Sequence, residues 1–230
     1  MTISMLVNSL YNIIDSFYVA KISEQAMTAL SLVYPAQNLL TAVTVGFAIG
    51  VNAVIAYYLG AGLKELADTA ATLGLIFNIL HGFLIGTICI VGMPAFLGRF
   101  SSDSEIIHLG TQYANIVFLF GIPIGAGVSY EKTFQAIGRM KVSMVSMLVG
   151  CVVNIILDPL IFGFGPIPAM GIKGAAWATG IGQVVSLVIY LAVYFKDLDN
   201  IPVRISLKNL TESGRTLKKM YGIGIPAALN

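Results

Sequence analysis

The sequence predicts an all-α, polytopic membrane protein, a six-transmembrane-helix bundle, and two observations carry that prediction. Of its 230 residues, 57% are hydrophobic and only 10% are charged. A soluble domain carries about 25% charged residues because it needs a wettable surface. The charges are also clustered, and an apolar stretch of about 18 residues is long enough to cross a bilayer as a helix. This composition excludes a soluble enzyme, a nucleic-acid binder and a fibrous protein. The runs without Asp, Glu, Lys or Arg are residues 25–63, 69–98, 106–130 and 174–195.

The uncharged runs and the turn residues between them divide the chain into six predicted membrane helices. The first helix is interrupted only by Asp15. The run 25–63 is long enough for two short helices, but we favour one long, tilted helix because no Gly, Asn or Pro cluster divides its middle. Pro94 and Gly98 predict the end of the third helix, and Ser104 followed by Glu105 predicts the start of the fourth. The predicted spans are 1–20, 28–59, 67–97, 106–137, 141–162 and 172–195.

The chain is predicted to have three parts. Residues 1–195 form the transmembrane lobe. Residues 196–219 form a charged cytoplasmic linker, whose apolar positions predict an amphipathic segment along the membrane interface. Residues 220–230 are apolar but too few to cross a bilayer, so we interpret them as the truncated start of a seventh transmembrane helix. The first helix begins without a flanking charge, so we expect a chain that is cut at both ends.

The positions of the basic residues predict the orientation in the membrane, because cytoplasmic loops of membrane proteins are enriched in Lys and Arg. With six helices and an inner N-terminus, the outer loops hold only Lys21, Arg99 and Lys173 of the 13 basic residues. The sequence therefore predicts a multi-pass protein with a cytoplasmic N-terminus.

Two carboxylates, Asp15 and Asp158, fall inside predicted membrane helices. A charged side chain at that depth costs about 2.5–3.5 kcal/mol, so each must be protonated, paired or in contact with water. At about 1.5 Å per residue, Asp15 lies about 9 Å below the outer boundary and Asp158 about 26 Å above the inner one. Both then fall in the outer half and are able to share a site. Asn154 lies one turn below Asp158, and Pro159 predicts a helix kink beside it.

Other polar side chains in the helices have an ordinary structural interpretation. Glu131 and Lys132 are expected to pair or to reach the interface. His81 has no acidic neighbour in sequence and is expected to be a satisfied core histidine. Cys89 and Cys151 are expected to be buried thiols, and no Cys/His spacing predicts a metal site. Side chains expected to bond between helices are Asn38, Asn52, Asn78, Gln183 and Ser186. Glycine pairs expected to allow close helix packing are Gly46/Gly50, Gly82/Gly86 and Gly121/Gly125.

Several longer motifs resemble one known family. Tyr11-Asn-Ile-Ile-Asp15-Ser-Phe-Tyr-Val resembles the first-helix signature of the MATE (multidrug and toxic compound extrusion) family, and Asn154-Ile-Ile-Leu-Asp158-Pro159-Leu-Ile resembles its fifth-helix signature. The resemblance runs over the whole chain. Two further stretches, Phe134-Gln-Ala-Ile-Gly-Arg139 and Gly171-Ile-Lys-Gly-Ala-Ala-Trp-Ala-Thr179, are similar to the family's pattern in register.

The resemblance implies a fold and a function. MATE proteins have twelve helices in two six-helix lobes, and they export cationic or amphipathic drugs in exchange for protons or sodium by alternating access. This chain would be the N-terminal lobe of such an antiporter in a bacterial inner membrane. Its partners would be drug-like small molecules, the lipid bilayer and the missing second lobe, with no nucleic acid. The coupling ion, H⁺ or Na⁺, would be the sole cofactor.

The resemblance also implies which residues act. The family's cation-coupling residues map onto Asp15, Asn154, Asp158 and Thr179, and the Asp15/Asp158 pair is a possible Na⁺ site. Candidate residues for the lining of the substrate cavity are Tyr11, Asn12, Tyr34, Asn38 and Gln183.

Other functions were weighed against this expectation. No protease, zinc-hydrolase, serine-hydrolase or P-loop motif occurs, so we do not expect an enzyme. A flippase for a lipid-linked oligosaccharide, from the same wider superfamily, is the nearest alternative. Flippases of that kind tend to carry a cationic cavity, and no Arg or Lys is predicted at mid-membrane here. A channel is a third possibility, which ion-coupled stoichiometry would exclude.

Overall fold

The computed structural model describes residues 13–163, 168–207, 210 and 212–229. Every regular element in these residues is a helix, which confirms the all-α class. The first helix, α1, is described over residues 13–20. The others are α2 (Glu24–Gly60), α3 (Lys64–Phe100), α4 (Ser104–Leu119), α5 (Gly121–Ala136), α6 (Met140–Leu157), α7 (Ile172–Lys196) and α8 (Ser213–Leu229), with short 3₁₀ turns at Asp158–Ile161 and Leu198–Asn200.

Four of the described helices, α2, α3, α6 and α7, are each long and apolar enough to cross a membrane. The α4 and α5 helices pass the same test as a pair, which makes up to five spans in the described part of the chain. Most of the predicted first span, residues 1–12, lies outside the described residues. The α2 helix is continuous from Glu24 to Gly60, so the single long helix is confirmed over the two short ones.

The predicted fourth helix, 106–137, is formed by two helices and not by one continuous helix. The chain bends by 47° between α4 and α5, at Phe120. Pro123 lies in the first turn of α5 and has no N–H to donate to the carbonyl of Leu119, so the α-helical hydrogen bonds cannot continue through this point. The predicted start at Ser104 is confirmed, because the Asp103 side chain accepts a hydrogen bond from the Glu105 N–H at 2.8 Å.

Two helix ends differ from the sequence prediction. The α3 helix passes through Pro94 and Gly98 and ends at Phe100, since membrane helices accommodate proline where neighbouring groups satisfy the freed carbonyl. The α6 helix is shorter than predicted and ends at Leu157, where the 3₁₀ turn Asp158–Ile161 follows. Pro159 therefore lies just past a helix end and not at a kink within a helix.

Contacts divide the chain into two compact units, which are described separately. The first unit contains Met1–Leu39, Leu84–Gly121 and Met147–Ser186, and the second contains Leu40–Phe83, Ile122–Ser146 and Leu187–Asn230. In the first unit, α3 passes close to α4 at Gly86, where an added Cβ would lie 2.7 Å from the Phe118 carbonyl oxygen. The ring of Phe120 contacts Trp177 edge-on, with centroids 5.6 Å apart.

In the second unit, α8 packs directly on α2. A Cβ on Gly50 would lie 2.1 Å from the Met220 carbonyl oxygen, and a Cβ on Gly46 would lie 2.4 Å from the Cβ of Ala228. This confirms the close packing expected at these glycines. The α8 helix begins at Ser213, seven residues before the start expected for a seventh helix at 220.

Residues 201–207, between α7 and α8, form no regular helix or strand and are partly buried in the second unit. Ile201 and Val203 are buried, as the alternating apolar pattern of an extended strand-like segment requires. The Arg204 N–H donates to the Asp68 carboxylate at 2.7 Å, and the Ile205 N–H donates to the Tyr194 hydroxyl at 2.7 Å. Lys208 of the predicted linker lies outside the described residues.

Candidate functional site

The α6 and α7 helices of the first unit cross at a pair of glycines. A Cβ on Gly182 would lie 2.7 Å from the Gly150 carbonyl oxygen, and one on Gly150 would lie 2.7 Å from the Gly182 carbonyl oxygen. Only glycine allows the two backbones to approach this closely. A Cβ on Gly182 would also lie 3.2 Å from the Cβ of Asn154, so the crossing sets the position of that side chain against α7.

The crossing brings together two of the predicted coupling residues. The Asn154 side-chain amide donates to the Thr179 hydroxyl, with 3.5 Å between Nδ2 and Oγ1. Both side chains are buried, with 3% and 7% of their surfaces exposed. Asn154 lies one turn beyond Gly150 on α6, and Thr179 lies about one turn before Gly182 on α7. The two residues meet because the helices run in opposite directions at this contact.

The two predicted carboxylates also lie in the first unit. Asp158 is fully buried at the start of the 3₁₀ turn after α6, and Asp15 of α1 is 4% exposed. The two carboxyl groups are near enough to interact electrostatically. The contact between α1 and this segment continues one turn further, where the rings of Tyr18 and Phe162 lie 6.4 Å apart.

Four buried oxygens of these residues have no hydrogen-bond partner among the described residues. They are Oδ1 of Asp15, both carboxyl oxygens of Asp158, and Oδ1 of Asn154. All four are acceptors when the carboxyls are ionised, and buried acceptors without donors are costly. The arrangement matches a ligand that supplies positive charge, a proton or an oxygen-binding cation such as Na⁺. The described residues contain no cluster of three or more His, Cys, Asp or Glu side chains of the kind that holds a transition metal.

The predicted cavity-lining residues are more widely spread. Tyr34 and Asn38 lie one turn apart on α2 and are exposed, whereas Gln183 is half-buried on α7, one turn from Thr179. Tyr11 and Asn12 lie outside the described residues. The structure thus brings Asp15, Asn154, Asp158 and Thr179 into one buried region.

Sequence reasoning missed two residues that build this region, Gly150 and Gly182. A usable signal was present, because each glycine lies within one turn of a predicted coupling residue, in Gly150-Cys-Val-Val-Asn154 and Thr179-Gly-Ile-Gly182. Which face of each helix meets its neighbour was the missing information. In the same unit, the Gln37 amide donates to the Tyr113 hydroxyl at 3.4 Å and joins α2 to α4.

One protein family matches more than half of the chain. The family model described as MatE matches residues 1–160. The chain belongs to the MatE family. The match covers three of the four predicted coupling residues, Asp15, Asn154 and Asp158, and it confirms the resemblance that the sequence motifs carried.

Relatives of this MatE chain include proteins named as transporters. The chain is 28% identical over 236 residues to "Multidrug export protein MepA" of Staphylococcus saprophyticus, covering 100% of this chain and 50% of that protein. It is 26% identical over 183 residues to an "FAD transporter" of Shewanella oneidensis, covering 77% of this chain and 39% of that protein.

Solved structures show the same fold. A structure described as the "outward-facing conformation of a multidrug resistance MATE family transporter of the MOP superfamily" superposes with a TM-score of 0.90 and 27% identity. The superposition covers 100% of this chain and 50% of that one. The chain therefore spans about half the length of the relatives it matches. With its apolar helices and these relatives, it is a multi-pass membrane protein.

Proposed function

We propose that this chain is the ion-coupling lobe of a secondary antiporter that exports cationic or amphipathic drug-like compounds by alternating access. The observation that carries the proposal is the buried group of oxygen acceptors without donors at Asp15, Asp158 and Asn154. The MepA relative, a protein named for multidrug export, supports the substrate class. The proposed location is the bacterial plasma membrane, with the N-terminus in the cytoplasm.

The proposed mechanism assigns a step to each part of the site. Asp15 and Asp158 take up a proton or Na⁺ when the site faces outward, which removes their mutual repulsion. The side-chain amide oxygen of Asn154 and the Thr179 hydroxyl supply neutral oxygens to the same ion. Occupation changes the contact between α1 and the turn at Pro159, and the bound substrate is released outward. The ion is able to expel substrate only as strongly as it prefers one state over the other.

The first testable prediction concerns the two carboxyls. In cells carrying the full-length protein, Asp15→Asn and Asp158→Asn are each expected to reduce gradient-driven ethidium efflux to the level of cells without the protein. The amide keeps the shape of the side chain but cannot bind a proton or balance a cation's charge. Efflux is measured with proton and sodium gradients imposed separately, at equal membrane expression, and the active gradient identifies the ion.

The matched control for these variants is Asp199→Asn. The Asp199 carboxyl is 98% exposed, so its loss is expected to leave efflux unchanged. Full efflux in Asp15→Asn would contradict the proposed coupling site. No efflux under either gradient, with the protein present in the membrane, would favour the flippase alternative.

A further inference from the structure

One turn of α3 in the second unit holds three buried polar atoms without a partner. Asn78 has no exposed surface, and neither its amide nitrogen nor its amide oxygen has a hydrogen-bond partner among the described residues. The expected bond from Asn78 to another helix is therefore absent. The Nδ1 atom of His81, three residues further along α3, is also buried and without a partner.

Neighbouring helices enclose this turn on two sides. On one side, a Cβ on Gly125 of α5 would lie 2.3 Å from the Asn78 carbonyl oxygen, so the two backbones are in contact. On the other side, the Tyr221 hydroxyl of α8 lies 3.0 Å from Nε2 of His81, and the Phe47 ring of α2 packs edge-on against the imidazole with centroids 4.9 Å apart.

The spacing of Asn78 and His81 allows one small ligand to reach both. Residues three apart on a helix are neighbours, with Cβ atoms about 5–6 Å from each other. All three atoms lack a partner among the described residues, so the amide and the ring are not bonded directly to each other. At this separation one water is able to bond to both. A buried water in proteins typically makes about three hydrogen bonds to polar groups that otherwise lack partners.

The chemistry of the three atoms selects the ligand. The amide offers two N–H donors and one acceptor, and the neutral imidazole offers a donor or an acceptor at Nδ1. A bare cation would leave the amide N–H groups without an acceptor, and an anion would leave the amide oxygen without a donor. Water donates and accepts, so it satisfies this mixture. Left without a ligand, the buried amide would make none of its hydrogen bonds, which is unfavourable in an apolar environment.

We propose that Asn78 and His81 form a buried water-binding site on α3, separate from the carboxyl site of the first unit. The water bonds to the Asn78 amide and to Nδ1 of His81, while Tyr221 bonds to Nε2. Both ring nitrogens then have hydrogen-bond partners, and the imidazole is able to exchange its ring proton with the bound water. The site is independent of the proposed transport function.

The experiment is solid-state NMR on the full-length protein in lipid bilayers, with ¹⁵N-labelled histidine. Polarisation transfer from water to the ring nitrogens is measured, and the spectrum of His81→Gln assigns the His81 signals. His108, which is exposed on α4, is the internal reference for a hydrated ring. We expect transfer to Nδ1 of His81 to be within about threefold of that to His108, because a bound water lies in contact with it.

Two variants test which residue holds the water. Asn78→Leu has about the same volume without polar atoms, and we expect it to slow the transfer to His81 by about fivefold or more, since the water loses its amide partners. Asn52→Leu is the matched control, because the Asn52 amide already donates to the Lys132 carbonyl at 2.9 Å, and transfer to His81 should stay unchanged.

Either of two results would overturn the proposal. Slow transfer to His81 in the unmodified protein means that the pocket is dry, and this measurement needs no variant. Fast transfer that Asn78→Leu leaves unchanged means that water reaches the ring without Asn78. The signal of His108 shows in each sample that polarisation is transferred from water to an accessible ring.

Discussion

At the scale of single residues, hydrogen-bond partners distinguish a membrane carboxyl with a structural role from one that is available to bind a ligand. Glu131 accepts hydrogen bonds from Lys132 at 3.1 Å and from Gln135 at 2.7 Å, so its charge is balanced within α5. This confirms the pairing expected from the sequence. Asp158 is fully buried, yet neither of its oxygens has a donor among the described residues. Its buried charge must be met by an ion or a proton, because none of the described side chains meets it.

A second prediction concerns the hydroxyl of Thr179. Thr179→Val is expected to weaken the affinity for the coupling ion about fivefold, since loss of one buried hydrogen bond costs about 1 kcal/mol. The measurement is the dependence of efflux on proton or sodium concentration. Thr179→Ser keeps the hydroxyl and is the control, so an equal loss in both variants would point to packing at Thr179 and away from its bond to Asn154.

At the scale of helices, glycine positions decide which pairs of helices come close enough to form sites. The Gly150/Gly182 crossing places Asn154 beside Thr179, and the Gly125 contact on Asn78 closes one side of the α3 turn. The lipid around a membrane protein is as apolar as the side chains between its helices, so helix association depends on close van der Waals contact and hydrogen bonds. A single Cβ at such a crossing therefore moves two whole helices.

The third prediction tests the α6–α7 crossing. Gly182→Ala is expected to destabilise the protein by about 1–3 kcal/mol, because the added methyl group meets the Gly150 backbone. The thermal unfolding midpoint in detergent is the measurement. Gly92→Ala on α3 is the matched control, since nothing lies within 4 Å of its added Cβ. A Gly182→Ala protein as stable as Gly92→Ala would contradict the tight crossing.

The fourth prediction concerns the end of α7, where Asp197 accepts hydrogen bonds from Asn200 and Arg139. These bonds hold the pKa of Asp197 below its usual value of 3.8. Because the folded pKa is lowered, the stabilisation is fully present above the unfolded value of 3.8 and is lost as the pH falls through the folded pKa. Relative to Asp197→Asn, which does not titrate, the wild-type unfolding temperature is expected to fall between about pH 5 and pH 3. Parallel pH profiles for the two proteins would contradict this contribution.

At the scale of the whole molecule, the chain matches half of a transporter. It covers 50% of the outward-facing MATE structure, with a TM-score of 0.90 over its entire length. The predicted coupling residues Asp15, Asn154, Asp158 and Thr179 all lie within this half, in the first unit. Ion binding is therefore expected to be a property of this lobe, whereas export needs a path between two access states.

The fifth prediction tests the orientation. In a chain with Cys89 and Cys151 replaced by Ala, Ser102→Cys is expected to react with a membrane-impermeant maleimide in intact cells. Ala61→Cys is expected to react only after the cells are made permeable. The reason is the excess of Lys and Arg in the loops on the Ala61 side. The reverse labelling pattern would contradict a cytoplasmic N-terminus.

The sequence by itself determined the all-α class, the membrane helices, the α2 span and the two buried carboxyls at Asp15 and Asp158. These follow from composition and from local chemistry, since long uncharged stretches must enter lipid and a carboxylate there is costly. Local signals also existed in Pro123, which follows the α4–α5 bend, and in Pro159, which follows the end of α6. The predicted spans 106–137 and 141–162 nevertheless ran through both prolines.

Only the tertiary structure decided which polar groups have partners. Nothing near Asn78 in sequence distinguishes it from Asn52. Yet the Asn52 amide donates to the Lys132 carbonyl, whereas the Asn78 amide has no hydrogen-bond partner among the described residues. Likewise, Ile201 and Val203 lie in a charged segment that was expected at the membrane interface, and both are buried. The reason is that hydrogen-bond satisfaction and burial depend on neighbours supplied by distant parts of the chain, which helix packing alone brings into contact.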